Sequence, residues 1–330
     1  MKPLDITVIG AGIFGVWQAL TLARRGHNVR LVEASEKPFA ATASQWAGAM
    51  LAPYCEEEAS EPLVRALGLE AMAMWRRYYP QLIGNGTLVV AAARDRSELN
   101  RFARATRGYE MVDGEAIGKL ETDLAGRFQA GLMFADEAHM APLEAMAYVL
   151  AEARRAGAGV QFGVTAGFET GGIVVDCRGL AARDALPTLR GVRGERVLVR
   201  TRDIAFHRPI RLLHPRHPLY VVPWGEGVHM VGATVIESED PSPMTVRSAL
   251  ELLGLAYALH PSFGEAEILE LGVGLRPAFP DNVPKVVVRG KRLFVNGAYR
   301  HGFLLAPLLA DVTANYLETG ARLEGIVVDG

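Results

Sequence analysis

The stretch that most constrains this chain is Ile6 to Glu33. Ile6–Thr7–Val8–Ile9 is an apolar run of strand length, and Gly10–Ala11–Gly12–Ile13–Phe14–Gly15 follows it at once. An apolar face through Val16, Ala19, Leu20 and Ala23 predicts a helix to Arg25, with Gly26 where a C-cap glycine belongs. A second strand, Val29 to Val32, ends at Glu33. Strand, glycine turn, helix, strand and acid within about 30 residues is the pattern of a dinucleotide-binding unit. Gly10 permits the tight turn, Gly12 lets the backbone approach a pyrophosphate, and Gly15 lets the helix pack close to the strand. The helix N-terminus, with its free N–H groups and partial positive charge, suits a phosphate. Glu33 can accept hydrogen bonds from a ribose diol, and its charge argues against a 2′-phosphate. The competing reading is a glycine-rich turn in an ordinary α/β sheet.

The 330 residues can form two domains rather than one. With a net charge of −2 there is no polybasic stretch for nucleic acid. No apolar run reaches the roughly 20 residues of a membrane span. Met1 to Asp5 lead straight into the first strand, so no signal peptide is expected, and a cytoplasmic enzyme is the expectation. Cys55 and Cys177 are far apart and form no CxxC motif, so neither a metal site nor a disulfide framework is indicated.

Thr42 to Pro53 is small, apolar and poorly periodic. Two readings stay open: backbone lying against a flat ligand, with Gly48 and Ala49 allowing close approach and Thr42 and Ser44 offering hydroxyls, or a plain buried loop with a capping serine. Glu56, Glu57 and Glu58 precede an expected helix over Pro62–Tyr79 and read as charge at its N-terminus. Further helices are expected over Asp95–Arg107 (opened by a capping box of Asp95 and Glu98), Pro142–Ala156 (with Leu143, Met146, Val149 and Leu150 on its apolar face), Thr245–His260 and Phe303–Thr319. Asp113 is placed to cap a short one. Strands are expected over Thr87–Ala91, Val160–Val164, Gly172–Cys177, Val197–Thr201, Leu219–Pro223, His229–Thr234, Ile268–Val273 and Leu293–Asn296. The last strand runs into Gly297–Ala298–Tyr299–Arg300–His301–Gly302 and a final helix stopped by Gly320, a second glycine junction with a second electropositive helix tip. His214 and His217 lack metal-ligand spacing and read as surface residues.

Taken in order, GAGIFG with Glu33, AGAMLAP, GTLVVAA, GLRP and NGAYRHGFLLAP resemble the D-amino acid oxidase family of flavoproteins, and within it the ThiO-type glycine oxidases of thiamine biosynthesis. The resemblance covers nearly the whole chain. It implies an α/β fold: a Rossmann-like FAD-binding domain of the GR2 type, over 1–80, 140–180 and 270–330, and an α+β substrate domain on an antiparallel sheet, over 81–139 and 181–269. It implies FAD as cofactor, a small amino acid as substrate and O2 as final acceptor, giving an imine and H2O2. By motif, Gly10, Gly12, Ile13, Phe14, Gly15, Glu33 and Ala34 would hold the diphosphate and adenosine. Thr42, Ser44, Gly48, Ala49 and Met50 would line the diphosphate and flavin, and Val164 the adenine, with Gly179 at the return of the chain. Gly297, Ala298, Tyr299, Arg300, His301, Gly302, Phe303 and Leu304 would follow the flavin edge. Arg276 would bind the substrate carboxylate with Arg300 beside it, assisted by Tyr220 and Met50; the flavin carries the chemistry, with no catalytic side chain.

For Arg276 the alternative is a surface ion pair before a turn proline; Arg300 could instead brace a loop against an acid, and Tyr220 could simply pack in a core. Pro218 and Leu219 stand where some relatives carry a histidine, so the pocket differs in size. Glycine, sarcosine or a D-amino acid all stay open as substrate, as does a dehydrogenase passing electrons to a quinone or partner subunit, or a flavin-bearing subunit without catalysis. A homo-oligomer is equally open.

Overall fold

The computed structural model describes residues 2–166 and 172–330. Its first sheet has seven strands in the spatial order Val327–Asp329, Lys285–Arg289, Arg292–Asn296, Ile173–Asp176, Asp5–Ile9, Asn28–Glu33, Gly159–Phe162. Asp5–Ile9 pairs in parallel with Asn28–Glu33 on one side and Ile173–Asp176 on the other, and Arg292–Asn296 runs parallel to the latter. Such strands need crossovers. Ile13–Arg24 is the first, as the glycine-to-glycine spacing predicts, and Gly26 takes its left-handed conformation at φ +86°.

Helices Ile13–Arg24, Pro142–Arg155, Pro62–Tyr78 and Gly302–Thr319 share one core with Val8, Val175, Val286 and Val295 of this sheet. Trp17 and Trp75 are fully buried there and meet edge-on at 4.9 Å. The first and last of these helices are locked together. The buried amide of Gln18 donates to Leu309 O at 3.3 Å and Thr313 Oγ1 at 3.0 Å. Toward the far ends, Arg25 pairs with Asp311 and with Glu318. The two glycine junctions therefore belong to one rigid pair of helices.

The second sheet has eight strands in the order Glu267–Ala278, Arg190–Arg200, Val228–Gly232, Leu219–Gly225, Ile210–Leu213, Thr87–Ala91, Ala130–Phe134, Glu110–Asp113. All its pairings are antiparallel except Ile210–Leu213 with Thr87–Ala91. Helix Val246–Leu259 covers one face, with Leu252, Ala256 and Leu259 in its core. A two-stranded ribbon, Met50–Leu51 with Ala138–His139, completes the strand structure.

Several expectations are corrected. Arg190–Arg200 starts well before Val197, and Glu267–Ala278 runs on through the GLRP motif, because the two pair over their whole length. Arg276 therefore lies in a strand rather than after one. Glu110–Asp113, Ala130–Phe134, Ile210–Leu213, Lys285–Arg289 and Val327–Asp329 are strands whose short runs carried no readable period. Asp95 makes no side-chain capping bond to helix Arg96–Ala105, whereas Asp113 does cap, accepting from Ala116 N at 2.9 Å. Leu143 is 48 % exposed and lies off the buried face of its helix. No described helix is long and apolar enough to cross a membrane. Part of the stretch between Val164 and Gly179, residues 167–171, lies outside the described residues.

Candidate active site

A cavity of about 840 Å³ is lined by residues from both sheets. That is within the range of roughly 300–1,000 Å³ usual for ligand and cofactor sites. One side of it is the carboxyl ends of the parallel strands, where ligands of open α/β sheets bind. Gly10 leaves its strand at φ +94°, and a Cβ there would lie 2.8 Å from Cys177 O, so neither the turn nor the space admits another residue. A Cβ on Gly15 would lie 1.7 Å from Gly10 O, which is the close helix–strand packing expected of it. Gly12 is the N-cap and brings no side chain. Ser44 supplies one from the next segment, accepting from Ile13 N at 3.1 Å. The two readings of Thr42–Pro53 thus both hold in part: the serine caps a helix, and the segment lines the cavity. Glu33 is buried, accepting from Ala11 N at 2.7 Å and Ser35 N at 2.9 Å, while still lining the cavity.

Of the predicted residues, Gly10, Gly12, Ile13, Phe14, Glu33, Ala34, Thr42, Ser44, Gly48, Ala49, Met50, Val164 and Gly179 line this cavity, as do Tyr220, Arg276 and every residue from Ala298 to Leu304. Gly15 and Gly297 do not line it. Gly297 sits behind, at φ +80°, where a Cβ would strike the Phe279 ring at 2.1 Å. Asn296 ties this junction to the return of the chain at Gly179, its Nδ2 donating to Gly179 O at 2.8 Å while its Oδ1 accepts from Gly297 N at 2.8 Å. The N-cap of the final helix, His301, makes no side-chain cap bond, so a second helix tip opens on the same cavity. Burial, and after it the charge of Arg300, keep His301 neutral, at a pKa of about 4, although Glu56 pulls the other way.

At the other side stand the polar groups. Arg276 lies flat over Gly194, whose missing side chain makes the room: a Cβ there would be 2.2 Å from Arg276 Cζ. Its Nη1 donates to Thr234 O at 3.1 Å and to Arg193 O at 3.4 Å. Among the described residues no acid pairs with it. Burial first, and then the nearby Arg300, lower its pKa from 12.5 to about 10, so it is charged at neutral pH. The residues that supply these accepting carbonyls are held by a buried ion pair, Arg193 with Glu195 at 2.6 Å, to which Thr234 Oγ1 donates at 3.1 Å.

Arg300 Nη2 lies 2.6 Å from Glu56 Oε2 and 3.2 Å from the Tyr220 hydroxyl. Tyr220 in turn donates to Glu56. Arg300 thus has an acid to brace against and at the same time lines the cavity. Glu56, read as charge before a helix, instead faces the cavity. Burial alone would raise its pKa, but Arg300 and Arg211 outweigh it and hold the carboxyl below the ordinary range. Glu57 and Glu58 serve ion pairs with Arg65 at 3.0 Å and Arg101 at 2.7 Å. Sequence reasoning therefore missed Glu56, Gly194, Thr234 and Arg211. A glycine inside the β-branched run around Val192 and Val197 was the readable sign of a close approach at Gly194; a three-glutamate run gave no sign of which one turns inward.

Residues 5–316 match the profile of the FAD dependent oxidoreductase family of D-amino acid oxidase type. The chain belongs to that family. The oxidoreductase is 49 % identical over 318 residues to the "Putative thiamine biosynthesis oxidoreductase ThiO" of Rhizobium etli, an alignment covering 96 % of this chain and 97 % of that one. It is 28 % identical over 293 residues to a D-amino-acid oxidase of Streptomyces coelicolor, covering 83 % of each. Its fold matches a crystal structure of glycine oxidase from Bacillus cereus with a TM-score of 0.81 at 22 % identity, over 97 % of this chain and 96 % of that one. The oxidoreductase uses FAD. The tip of helix Gly302–Thr319, without a side-chain cap bond, and the tip of helix Ile13–Arg24, capped by the Ser44 hydroxyl at Ile13 N, open on one cavity that Glu33 also lines, and they fit that group.

Proposed function

We propose that this FAD-dependent oxidoreductase oxidises glycine or another small amino acid to its imine, O2 being reduced to H2O2, and that it serves thiamine biosynthesis. The observation that carries the reaction is Arg276, a charged guanidinium without an acidic partner among the described residues, facing the cavity that the two helix tips also face. The pathway rests on the identity to the Rhizobium etli protein. In this reading the flavin side of the molecule is the seven-stranded sheet and the substrate side is the eight-stranded one.

Bound FAD supplies a two-electron acceptor for the hydrogen on Cα. The nitrogen loses a proton, a C=N bond forms, and water then cleaves it to the oxo acid and ammonia. The protein's part is to hold the substrate. With Nη1 committed to carbonyls, Arg276 presents its remaining edge, Nε and Nη2, to a carboxylate in the two-pronged geometry that guanidinium favours. Fixing the carboxylate fixes Cα. Tyr220 and Arg300, tied to Glu56, wall the pocket instead of adding a second anchor. The tip of helix Gly302–Thr319, assigned to the flavin's pyrimidine edge, would stabilise the negative charge of the reduced ring.

The test is direct. Purified protein should be yellow, should be bleached by glycine without oxygen, and should release H2O2 with oxygen present. Arg276→Ala should abolish bleaching at millimolar glycine; bleaching as fast as in the wild type would refute the anchor. Turnover with an artificial dye but not with O2 would replace the oxidase reading by a dehydrogenase.

A further inference from the structure

Three guanidinium groups line the cavity: Arg178, which pairs with Asp176 at 3.0 Å and Asp184 at 2.8 Å, Arg300 and Arg276, and among the described residues Arg276 is the one without an acid. Arg276 has the carbonyls of Arg193 and Thr234. Arg300 has Glu56 at 2.6 Å. Glu56 also stands 3.5 Å from Arg211 Nη1, but Arg211 does not depend on it: Arg211 keeps Glu58 at 3.0 Å and the Cys55 carbonyl at 2.8 Å. Among the described residues Glu56 is the acid that pairs with Arg300. It is fixed from behind. Tyr220 donates to it, and the N–H groups of the two residues before it, Tyr54 and Cys55, donate to buried Glu137 at 3.1 and 2.6 Å.

We infer that Glu56 is a specificity-determining residue: by neutralising Arg300 it leaves the cavity one uncompensated cation, so the site takes amino acids with a single carboxylate and excludes those with a second anionic group near the amine. This rests on the reading of Arg276 as carboxylate anchor. A substrate held by Arg276 places any further anion against the Arg300–Glu56 pair. There it meets no net positive charge, and in a poorly hydrated site the nearby Glu56 carboxylate repels it strongly. Displacing Glu56 would break its bonds to Tyr220 and Arg300 together.

The experiment compares sarcosine with iminodiacetate, two N-substituted glycines that differ in one carboxylate, and acetate with malonate as inert competing ligands, on the holoenzyme. Glu56→Gln keeps the shape and removes the charge. It should raise the iminodiacetate-to-sarcosine ratio of kcat/KM, and the malonate preference over acetate in inhibition, at least tenfold each. Adding Arg300→Gln should cancel both gains. Should Glu56→Gln not fold, Arg300→Gln alone serves: it removes the cation nearest Glu56, leaving that carboxylate with Arg211 at 3.5 Å, and should weaken malonate relative to acetate at least tenfold. Unchanged ratios in folded Glu56→Gln, a gain that survives Arg300→Gln, or no loss of malonate in Arg300→Gln alone would each overturn the inference. Arg276→Ala separates the two ideas: if it leaves acetate inhibition intact the anchor itself is wrong, whereas an intact anchor with unchanged ratios defeats only the role of Glu56.

Discussion

Gly194→Ala tests the site without touching a charged group. Gly194 lies opposite Gly274 in the paired strands, with the Arg276 guanidinium over it. The added Cβ would stand 2.2 Å from Arg276 Cζ and Nη2 and 2.5 Å from Nη1. Ordinary contact begins near 3.4 Å, so the guanidinium must retreat by 3.4 less 2.2, about 1.2 Å. Gly194 has no left-handed φ, and what yields is the free end of a flexible side chain, so the fold should tolerate the change. The anchor does not tolerate it. A misplacement of about 1 Å costs on the order of 100-fold in rate, or roughly 2.7 kcal/mol in kcat/KM. Anaerobic stopped-flow bleaching with glycine would measure this, with the melting temperature of the holoenzyme as control. We expect about a hundredfold loss with Tm within a few degrees of wild type. A kcat/KM within about threefold of wild type would refute the role of Arg276 and the reasoning that placed it.

In Arg276→Lys, the burial that lowers the pKa of Arg276 would also push the lysine below its ordinary pKa of about 10.4, so it would lose its charge at a pH where Arg276 keeps it. The ratio of variant to wild-type KM for glycine should therefore climb as pH rises toward about 10, by up to about tenfold per unit once the lysine is neutral; a ratio flat from about pH 7 to 10 would contradict it. Gly12→Ala and Gly15→Ala should part company in circular dichroism and flavin content. A Cβ on Gly12 meets nothing nearer than Ser44 Oγ at 3.4 Å, so that variant should fold but not retain FAD, while Gly15→Ala, at 1.7 Å from Gly10 O, should not fold; a yellow Gly12→Ala protein would show that no phosphate lies there. Glu137→Gln addresses pH. Burial pushes Glu137 from 4.5 up to about 8 despite the N–H bonds from Cys55 and Tyr54. The folded protein thus keeps a proton that the unfolded chain releases near 4.5, and stability is lost as pH rises through this window to about 8, by about 1.4 kcal/mol per unit at most. The melting temperature of Glu137→Gln relative to wild type should rise steadily from about pH 5 to 8; a constant gap would show that Glu137 is ionised throughout.

What local sequence determined was everything built from neighbours in the chain. The first strand, its glycine turn, the helix and Glu33 form one contiguous unit whose hydrogen bonds and φ requirements are local, and Gly10, Gly12, Gly15 and Gly26 announce them. The final junction, Asn296 to Gly302, was legible for the same reason. What tertiary structure alone decided was which distant charges meet. Glu56 and Tyr220 are 164 residues apart and Tyr220 and Arg300 are 80 apart, yet the three share hydrogen bonds, and Gly194 makes room for Arg276 from another strand. Charge pairing follows distance in space, and a carboxylate carries no local mark of the guanidinium it will face. So the sequence could name Arg276 and Arg300 as cations near a site, but only the folded sheets could say that Arg300 meets an acid and that Arg276, among the described residues, meets carbonyls instead.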